Sequence, residues 1–371
     1  MSVQFRNARV LLPDRTWATD CPVTVAGETI VSVGEAYPAD EIVDLAGQLL
    51  VPGLIDIHTH GRIGYDFVSA SAEQMKKMKA DYARHGATTV FPTLASATPT
   101  QWLNAIDRVR KAGFEGIHFE GRYLNPKRRG AHAPELLSPL DALDLAIFLR
   151  RAAGLSCHVT AALELDRDGS FAAEALSRGA TLALGHTDAT FSQAQTALSR
   201  GATCFTHLCN AMPPLHHRAG GAICAALTSE TAYAELIVDG MHIAPEMIAL
   251  LYRVLGAERT ILITDSLAPA GKGDGSYTSA GLPIVVRGGR AETLDGVLAG
   301  STLDMWSAVR NLVKFAGASI ADAVTCASRN PARAVGIYET VGSIEAGKRA
   351  DLIVTDDACN LCAVWQSGVC L

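Results

Sequence analysis

The chain lacks any apolar run approaching the ~20 residues of a membrane-spanning helix, although 49% of its 371 residues are hydrophobic. That pairing argues against a helical membrane anchor and for a large buried core. Its opening residues, MSVQFRNARV, do not carry the apolar stretch of a secretory leader. Cysteine is too sparse and irregular for a stapled fold. There are nine, an odd number without regular spacing, and they predict reduced thiols in a cytoplasmic protein. Cys359 and Cys362 form a lone CxxC, half a zinc shell, and read as structural. Surplus positive charge is missing as well. Lysine and arginine total 32 against 38 acidic residues, a net charge of −6. This argues against general nucleic-acid affinity, so an anionic ligand has to be met by local cations. No internal repeat and no low-complexity segment interrupts the alternation described next.

What the chain does have is a recurring ending. Five short apolar runs, LIDIHTH (54–60), GIHFEG (116–121), TLALGH (181–186), CFTHLCN (204–210) and TILITD (260–265), carry His58 and His60, Glu120, His186, His207 and Asp265 at their ends. Between the runs lie segments of helical period at 71–85, 98–113, 139–153, 170–178, 190–200 and 245–256. Start signals include Ser71 with Gln74 and Thr98-Pro99 with Gln101. Adding ATTVFPT (87–93), HVTAALEL (158–165) and AYAELIVDG (232–240) brings the strands to eight. Strands alternating with helices predict a parallel (β/α)₈ barrel, whose active sites sit at the carboxyl ends of the strands. All the residues singled out stand at such ends.

A barrel needs only ~250 residues, so a second domain is expected. Residues 1–52 and 337–371 read as short strands and predict one small β-sandwich domain built from both termini, around a barrel at 53–336. The turn-rich stretch 266–300 predicts a β-hairpin excursion after the eighth strand, before a helix at 301–316.

Residues two apart on a strand share a face, so Asp56, His58 and His60 point inward together. Nitrogen ligands of this kind suit zinc or iron(II), and Glu120, His186, His207 and Asp265 on the same rim complete a metal-binding set. Asp56 lies deeper, in a supporting or packing role. A bound divalent metal lowers the pKa of its water to around 7. Asp265 is the candidate to take that proton and return it to a leaving group, a role compatible with metal ligation.

These residues sit in stretches that resemble the amidohydrolase superfamily and, within it, the N-acetylglucosamine-6-phosphate deacetylase family. The matching stretches are PGLIDIHTHG (52–61) with GYDF (64–67), HFEG (118–121) with RGAH (129–132), LGHTDATF (184–191) and THLCNAMPPLHHR (206–218). They continue through VDGMHI (238–243), ITDSLAPAG (263–271), LAGSTL (298–303) and NPARAVG (330–336). The resemblance runs in order along almost the whole chain, and THLCNAM with HHR is specific to the subgroup. It implies a metal-dependent deacetylase of N-acetylglucosamine 6-phosphate. The galactosamine isomer and another amide are alternatives, and a non-catalytic scaffold relative would be expected to have lost ligands that are present here. It further implies Glu120, His186 and His207 as ligands of the main ion, and His58 and His60 as ligands of a possible second ion bridged by Glu120. His132 would polarise the acetamide carbonyl. The phosphate would be held by backbone donors of Asn210 and Ala211 and by Arg218 and His242, in a homodimer whose neighbouring chain helps close that site. Three positions depart from the pattern: Arg62, Arg122 (where proline is usual) and Ser266. The two arginines either turn outward to acidic partners or alter which anionic sugar fits.

Overall fold

A computed structural model describes residues 2–35 and 37–371; Met1 and Ala36 of the amino-terminal segment lie outside the described residues. Eight strands pair in parallel and in chain order: β1 Leu54–Thr59, β2 Ala87–Leu94, β3 Gly116–Glu120, β4 Ser156–Ala161, β5 Thr181–Leu184, β6 Ala202–Phe205, β7 Tyr233–Ile237 and β8 Thr260–Ile263. Both faces of each strand are covered, one by the barrel interior and one by helices, which is why they read as continuous apolar runs rather than as alternation. Every residue of β1, β2 and β3 is buried.

The barrel closes through its first and last strands. The Asp265 N–H donates to the His58 carbonyl at 2.9 Å, and the His60 N–H to the Ser266 carbonyl at 2.8 Å. Below them the buried Asp56 carboxylate accepts the Thr264 hydroxyl at 2.6 Å and the Thr264 N–H at 3.3 Å. Asp56 thus stitches the seam, in keeping with the supporting role read from the sequence.

The helices follow their caps. α1 Ala72–Arg84 and α2 Pro99–Lys111 start on complete capping boxes at Ser71/Gln74 and Thr98/Gln101, and bury Met75, Met78 and Tyr82, and Trp102, Ala105, Ile106 and Val109. α3 Ala142–Arg151, α4 Ser170–Ser177 and α5 Phe191–Ser199 occupy the expected gaps, with α5 on a third box at Thr190/Gln193. α6 Gly221–Thr228 has no counterpart in the sequence reading. It is short, glycine-led, without a side-chain cap, and mostly small apolar residues, so neither a start signal nor a polar face betrays it. α7 Pro245–Arg259 and α8 Met305–Ala316 complete the ring, α8 beginning at the Asp304 cap rather than at 301.

Two sheets cover one flank. The first pairs Ser2–Arg6 with Val23–Ala26 and Glu41–Asp44, and adds Thr29–Val33. The second joins Arg9–Leu11, Trp17–Ala18 and Leu49–Pro52 to Leu352–Thr355, Leu361–Gln366 and Val369–Cys370 from the other terminus. Phe5, Val10, Val25, Ile30, Leu50, Leu352 and Val354 pack between them as a separate core, with Phe5 edge-on to Trp365 at 4.9 Å. The excursion after β8 is a three-stranded antiparallel meander, Gly275–Ser279, Leu282–Arg287 and Arg290–Thr293, one strand more than the expected hairpin. The extra strand buries Ala291 against Ile284 and Val286.

If Asp56 closes the barrel, Asp56→Ala should lower unfolding free energy by about 1–3 kcal/mol, the cost of stranding a buried donor. Thr264→Val added to it should cost little more, because both changes cut the same bond. Urea titrations of the four proteins test this, and full additivity would refute the shared seam.

Candidate active site

His58 and Glu120 stand at the carboxyl ends of β1 and β3, while His60, His186, His207 and Asp265 are presented just beyond their strands. β5, β6 and β8 end at Leu184, Phe205 and Ile263, each two residues before His186, His207 and Asp265. The predicted runs extended through these residues. Instead, all three take left-handed backbone, with φ of 46°, 28° and 47°. For residues with a Cβ this conformation costs free energy and survives where the surroundings hold it. Here it breaks the strand and turns each side chain over the barrel mouth.

They converge on Glu120. Its Oε2 lies 2.8 Å from Nε2 of His60 and 3.1 Å from Nε2 of His58, and its Oε1 lies 2.9 Å from Nε2 of His207 and 3.3 Å from Nε2 of His186. Asp265 Oδ1 joins the first half at 3.3 Å from His60 and 3.6 Å from His58. In the second half the Nε2 atoms of His186 and His207 stand 3.0 Å apart, so they share a proton or aim their lone pairs at one cation. Electrostatics favours the same occupant. Burial opposes charge on His58, yet Glu120, Asp265 and Glu235 outweigh it and hold the imidazole well above its ordinary pKa. Burial would raise Glu120, but His58 and hydrogen bonds from His186 and His207 hold it well below. The cluster calls for positive charge among its nitrogens, which a divalent cation supplies as well as protons do. The donor set fits a divalent metal, with the Glu120 carboxylate placed between two halves.

His132, in the loop after β3, reaches the same place, its Nε2 3.9 Å from Glu120 Oε2. Its Nδ1 faces the Ser96 hydroxyl at 2.8 Å and the Ser96 N–H at 3.4 Å. The Ser96 N–H can only donate, so Nδ1 is an acceptor, and the Ser96 hydroxyl, which accepts the Arg122 N–H at 3.2 Å, gives its own proton to Nδ1 as well. His132 therefore carries its hydrogen on Nε2, toward the cavity. Burial, with His186 beside it, pushes its pKa down to about 3, which keeps it a neutral donor.

A cavity of about 350 Å³ opens over these groups. His60, Glu120, His132, His186, His207 and Asp265 line its polar side, and the meander supplies Leu282 and Ile284 opposite. Asn210, Ala211 and His242 also line it. His242 Nδ1 bonds Asp239 at 2.7 Å; burial opposes its charge, but Asp239 outweighs burial and raises the pKa. The Asn210 N–H is engaged with the His207 carbonyl at 2.9 Å. Arg218 is not brought to the cavity of its own chain: it is exposed, with Nη1 2.8 Å from His217 Nε2. Arg62 and Arg122 are buried away from the cavity. Arg62 pairs with Asp81 over the Tyr82 ring, and Arg122 with Asp144 at 2.8 Å between Trp102 and Phe148. Arg122 has a φ of 48°, a conformation that the proline ring forbids, so backbone geometry accounts for the departure there.

Comparison with known proteins fits this arrangement. Residues 49–369 match the model of the Amidohydrolase family. The chain belongs to that family, in the branch of the N-acetylglucosamine-6-phosphate deacetylases. An N-acetylglucosamine-6-phosphate deacetylase of Bacillus subtilis (strain 168) is 35% identical, over 86% of this chain and 84% of its own. An N-acetylgalactosamine-6-phosphate deacetylase of Escherichia coli O157:H7 is 33% identical, over 98% and 97%. An N-acetyl-D-glucosamine-6-phosphate deacetylase variant of Mycobacterium smegmatis, solved in complex with N-acetyl-D-glucosamine-6-phosphate, superposes with a TM-score of 0.91 at 33% identity over 100% of this chain and 98% of that one.

Within this amidohydrolase site, sequence reasoning missed a layer beneath the cluster. Glu235 on β7 accepts from His58 Nδ1 at 3.0 Å and from the His207 N–H at 3.2 Å. His118 and His158 pair in register on β3 and β4, bonded to Thr93, Thr160 and Thr181. A signal existed for His118, two before Glu120 and so on its face, and for Glu235, a lone acid in the apolar run YAELIV. Ser96 carried none.

Metal analysis of the purified hydrolase is expected to find at least one divalent ion per chain. Stripping it with a chelator should lower Tm, restored by adding the ion, because the buried carboxylates lose their counter-charge. A metal-free chain with unchanged Tm would count against the cluster as a metal site.

Proposed function

We propose that this protein hydrolyses N-acetylglucosamine 6-phosphate to glucosamine 6-phosphate and acetate, with Asp265 as proton shuttle and His132 as donor to the acetamide carbonyl. The observation that carries the reading is the convergence of both groups on the Glu120 cluster in one cavity. Glu120, His186 and His207 would hold zinc or iron(II), with His58 and His60 as further ligands, and the bound ion would supply a water acidified enough to attack at neutral pH. Asp265 then accepts the attacking water's proton and returns it to the leaving amine. Burial would raise its pKa, but His58 and His60 hold it below the ordinary carboxylate value, which suits a base. The Nε2–H of His132 meets negative charge growing on the carbonyl oxygen.

For the phosphate, His242 and the backbone at Ala211 are the groups this chain brings to its own cavity. Arg218 serves from a neighbouring subunit in a homodimer, a reading supported by its exposure on a loop outside the cavity. An uncovered apolar stripe on α7, formed by Met247, Leu250 and Val254 with Met241 before it, is a surface a second copy can cover. Nine free cysteines agree with a cytoplasmic enzyme. The galactosamine 6-phosphate isomer is the second reading, favoured by the end-to-end likeness to the Escherichia coli O157:H7 relative. Rates on the two epimers, measured side by side, decide it, and faster turnover of the galacto compound would replace the first reading.

Asp265→Asn should keep the fold and its metal yet lose kcat by roughly 10²–10⁴-fold, the scale of acid–base work; near-wild-type turnover would remove Asp265 from the mechanism. Arg218→Ala should cut kcat/KM for the phosphorylated sugar about 10- to 100-fold, one charge-assisted bond of ~1.5–3 kcal/mol. It should leave the free N-acetyl sugar unaffected. Mixing Asp265→Asn and Arg218→Ala chains should restore activity above either alone, since the mixed dimer holds one site with an intact Asp265 and the other subunit's Arg218. No restoration would put Arg218 to work within its own chain or nowhere.

A further inference from the structure

Resting on that metal reading, we infer that Glu235 is a positioning residue that fixes His58 in its metal-ligating form, so that the His58–His60 half of the cluster can hold an ion. Glu235 is fully buried in the middle of β7, a place where a carboxylate is tolerated only when charged or hydrogen-bonding partners repay its lost hydration. Both of its bonding contacts run through Oε2, to His58 Nδ1 at 3.0 Å and to the His207 N–H at 3.2 Å. Oε1 makes no hydrogen bond among the described residues but faces His158 Nε2 at 3.6 Å.

An ionised carboxylate can only accept. Facing Glu235, His58 must therefore carry a hydrogen on Nδ1, so the proton it gives up to an entering ion is the one on Nε2, the atom that faces Glu120 and Asp265 at 3.1 Å and 3.6 Å. Without Glu235 the opposite tautomer becomes available. Its Nε2–H would donate to Glu120 across the same 3.1 Å, and His58 would be a hydrogen-bond donor where a ligand is needed. The two halves differ in the acceptor: His186 Nδ1 is fixed by a neutral one, the Arg128 carbonyl at 2.8 Å, and His58 Nδ1 by the Glu235 carboxylate, while neither His60 Nδ1 nor His207 Nδ1 has a partner among the described residues. The His58–His60 half thus depends on Glu235 for its orientation and takes from it the added basicity that a carboxylate lends an imidazole. The bond to the His207 N–H also restrains a residue held at a φ of 28°, a lesser effect on the other half.

Titration of the metal-stripped full chain with Zn²⁺ against a chromophoric chelator, run on wild type, Glu235→Gln and Glu235→Ala, tests this without reference to turnover. Wild type should take up two ions. Glu235→Ala should weaken one binding step by about 10- to 100-fold and the other less. Glu235→Gln, whose amide oxygen still accepts from Nδ1–H, should fall between. In imidazole-labelled protein the His58 Nδ1–H resonance should persist in Glu235→Gln and vanish in Glu235→Ala. Should Glu235→Ala fail to fold, Glu235→Gln alone bears the test through its weakened step. Unchanged zinc affinity in the variants overturns the inference, as does a wild type that binds one ion with an affinity Glu235 does not affect; both leave the proposed reaction standing. A wild type that binds no zinc or iron(II) removes the metal reading itself.

Discussion

A single carboxylate, Glu120, sits at the mouth of a hydrophobic barrel with four imidazoles around it, two at each oxygen. An isolated charge there would cost far more than a domain's net stability, so the surrounding structure has to answer it. The imidazoles answer directly. Asp265 adds negative charge on the Glu120 side of His58 and Glu235 on its far side, and the whole set is neutral only when positive charge enters among the nitrogens. The site is therefore built for a cation by charge balance as much as by distance.

Everything around the cluster maintains that geometry. The seam between β1 and β8 places His58, His60 and Asp265 within one hydrogen-bonded unit, with the Asp265 N–H on the His58 carbonyl. The left-handed turns at His186, His207 and Asp265 aim side chains that a straight strand would have sent elsewhere. Close contact keeps them there: a Cβ on Gly300 would lie 2.3 Å from the Asp265 carbonyl oxygen, and one on Gly130 would lie 3.3 Å from the His186 ring. On the opposite side the meander's Leu282 and Ile284 exclude water without offering competing hydrogen bonds.

The proposed anion-binding side is less complete within one chain. His242, its pKa raised by Asp239, lines the cavity, while the guanidiniums nearest in sequence to His60 and Glu120, Arg62 and Arg122, are spent on Asp81 and Asp144. Arg218, the arginine proposed for the phosphate, stands on an exposed loop.

The barrel, its rim and the residues that gather on it were legible in the sequence because their causes are local. Buried parallel strands demand apolar runs, capping boxes announce helices at Ser71 and Thr98, and period two puts His58 beside His60. The uncapped α6 escaped because nothing local marks it, and the third strand of the meander because its pairing spans a turn. What tertiary structure alone decided lies in contacts between distant residues. Ser96 sets the tautomer of His132 from 36 positions away, and Glu235 reaches His58 across 177. Arg62 and Arg122 find acids that cancel them, and Arg218 points away from its own cavity. Which nitrogen bears a proton and which arginine is free to bind are settled by the partner each group meets, and the partner is known only once the barrel has closed.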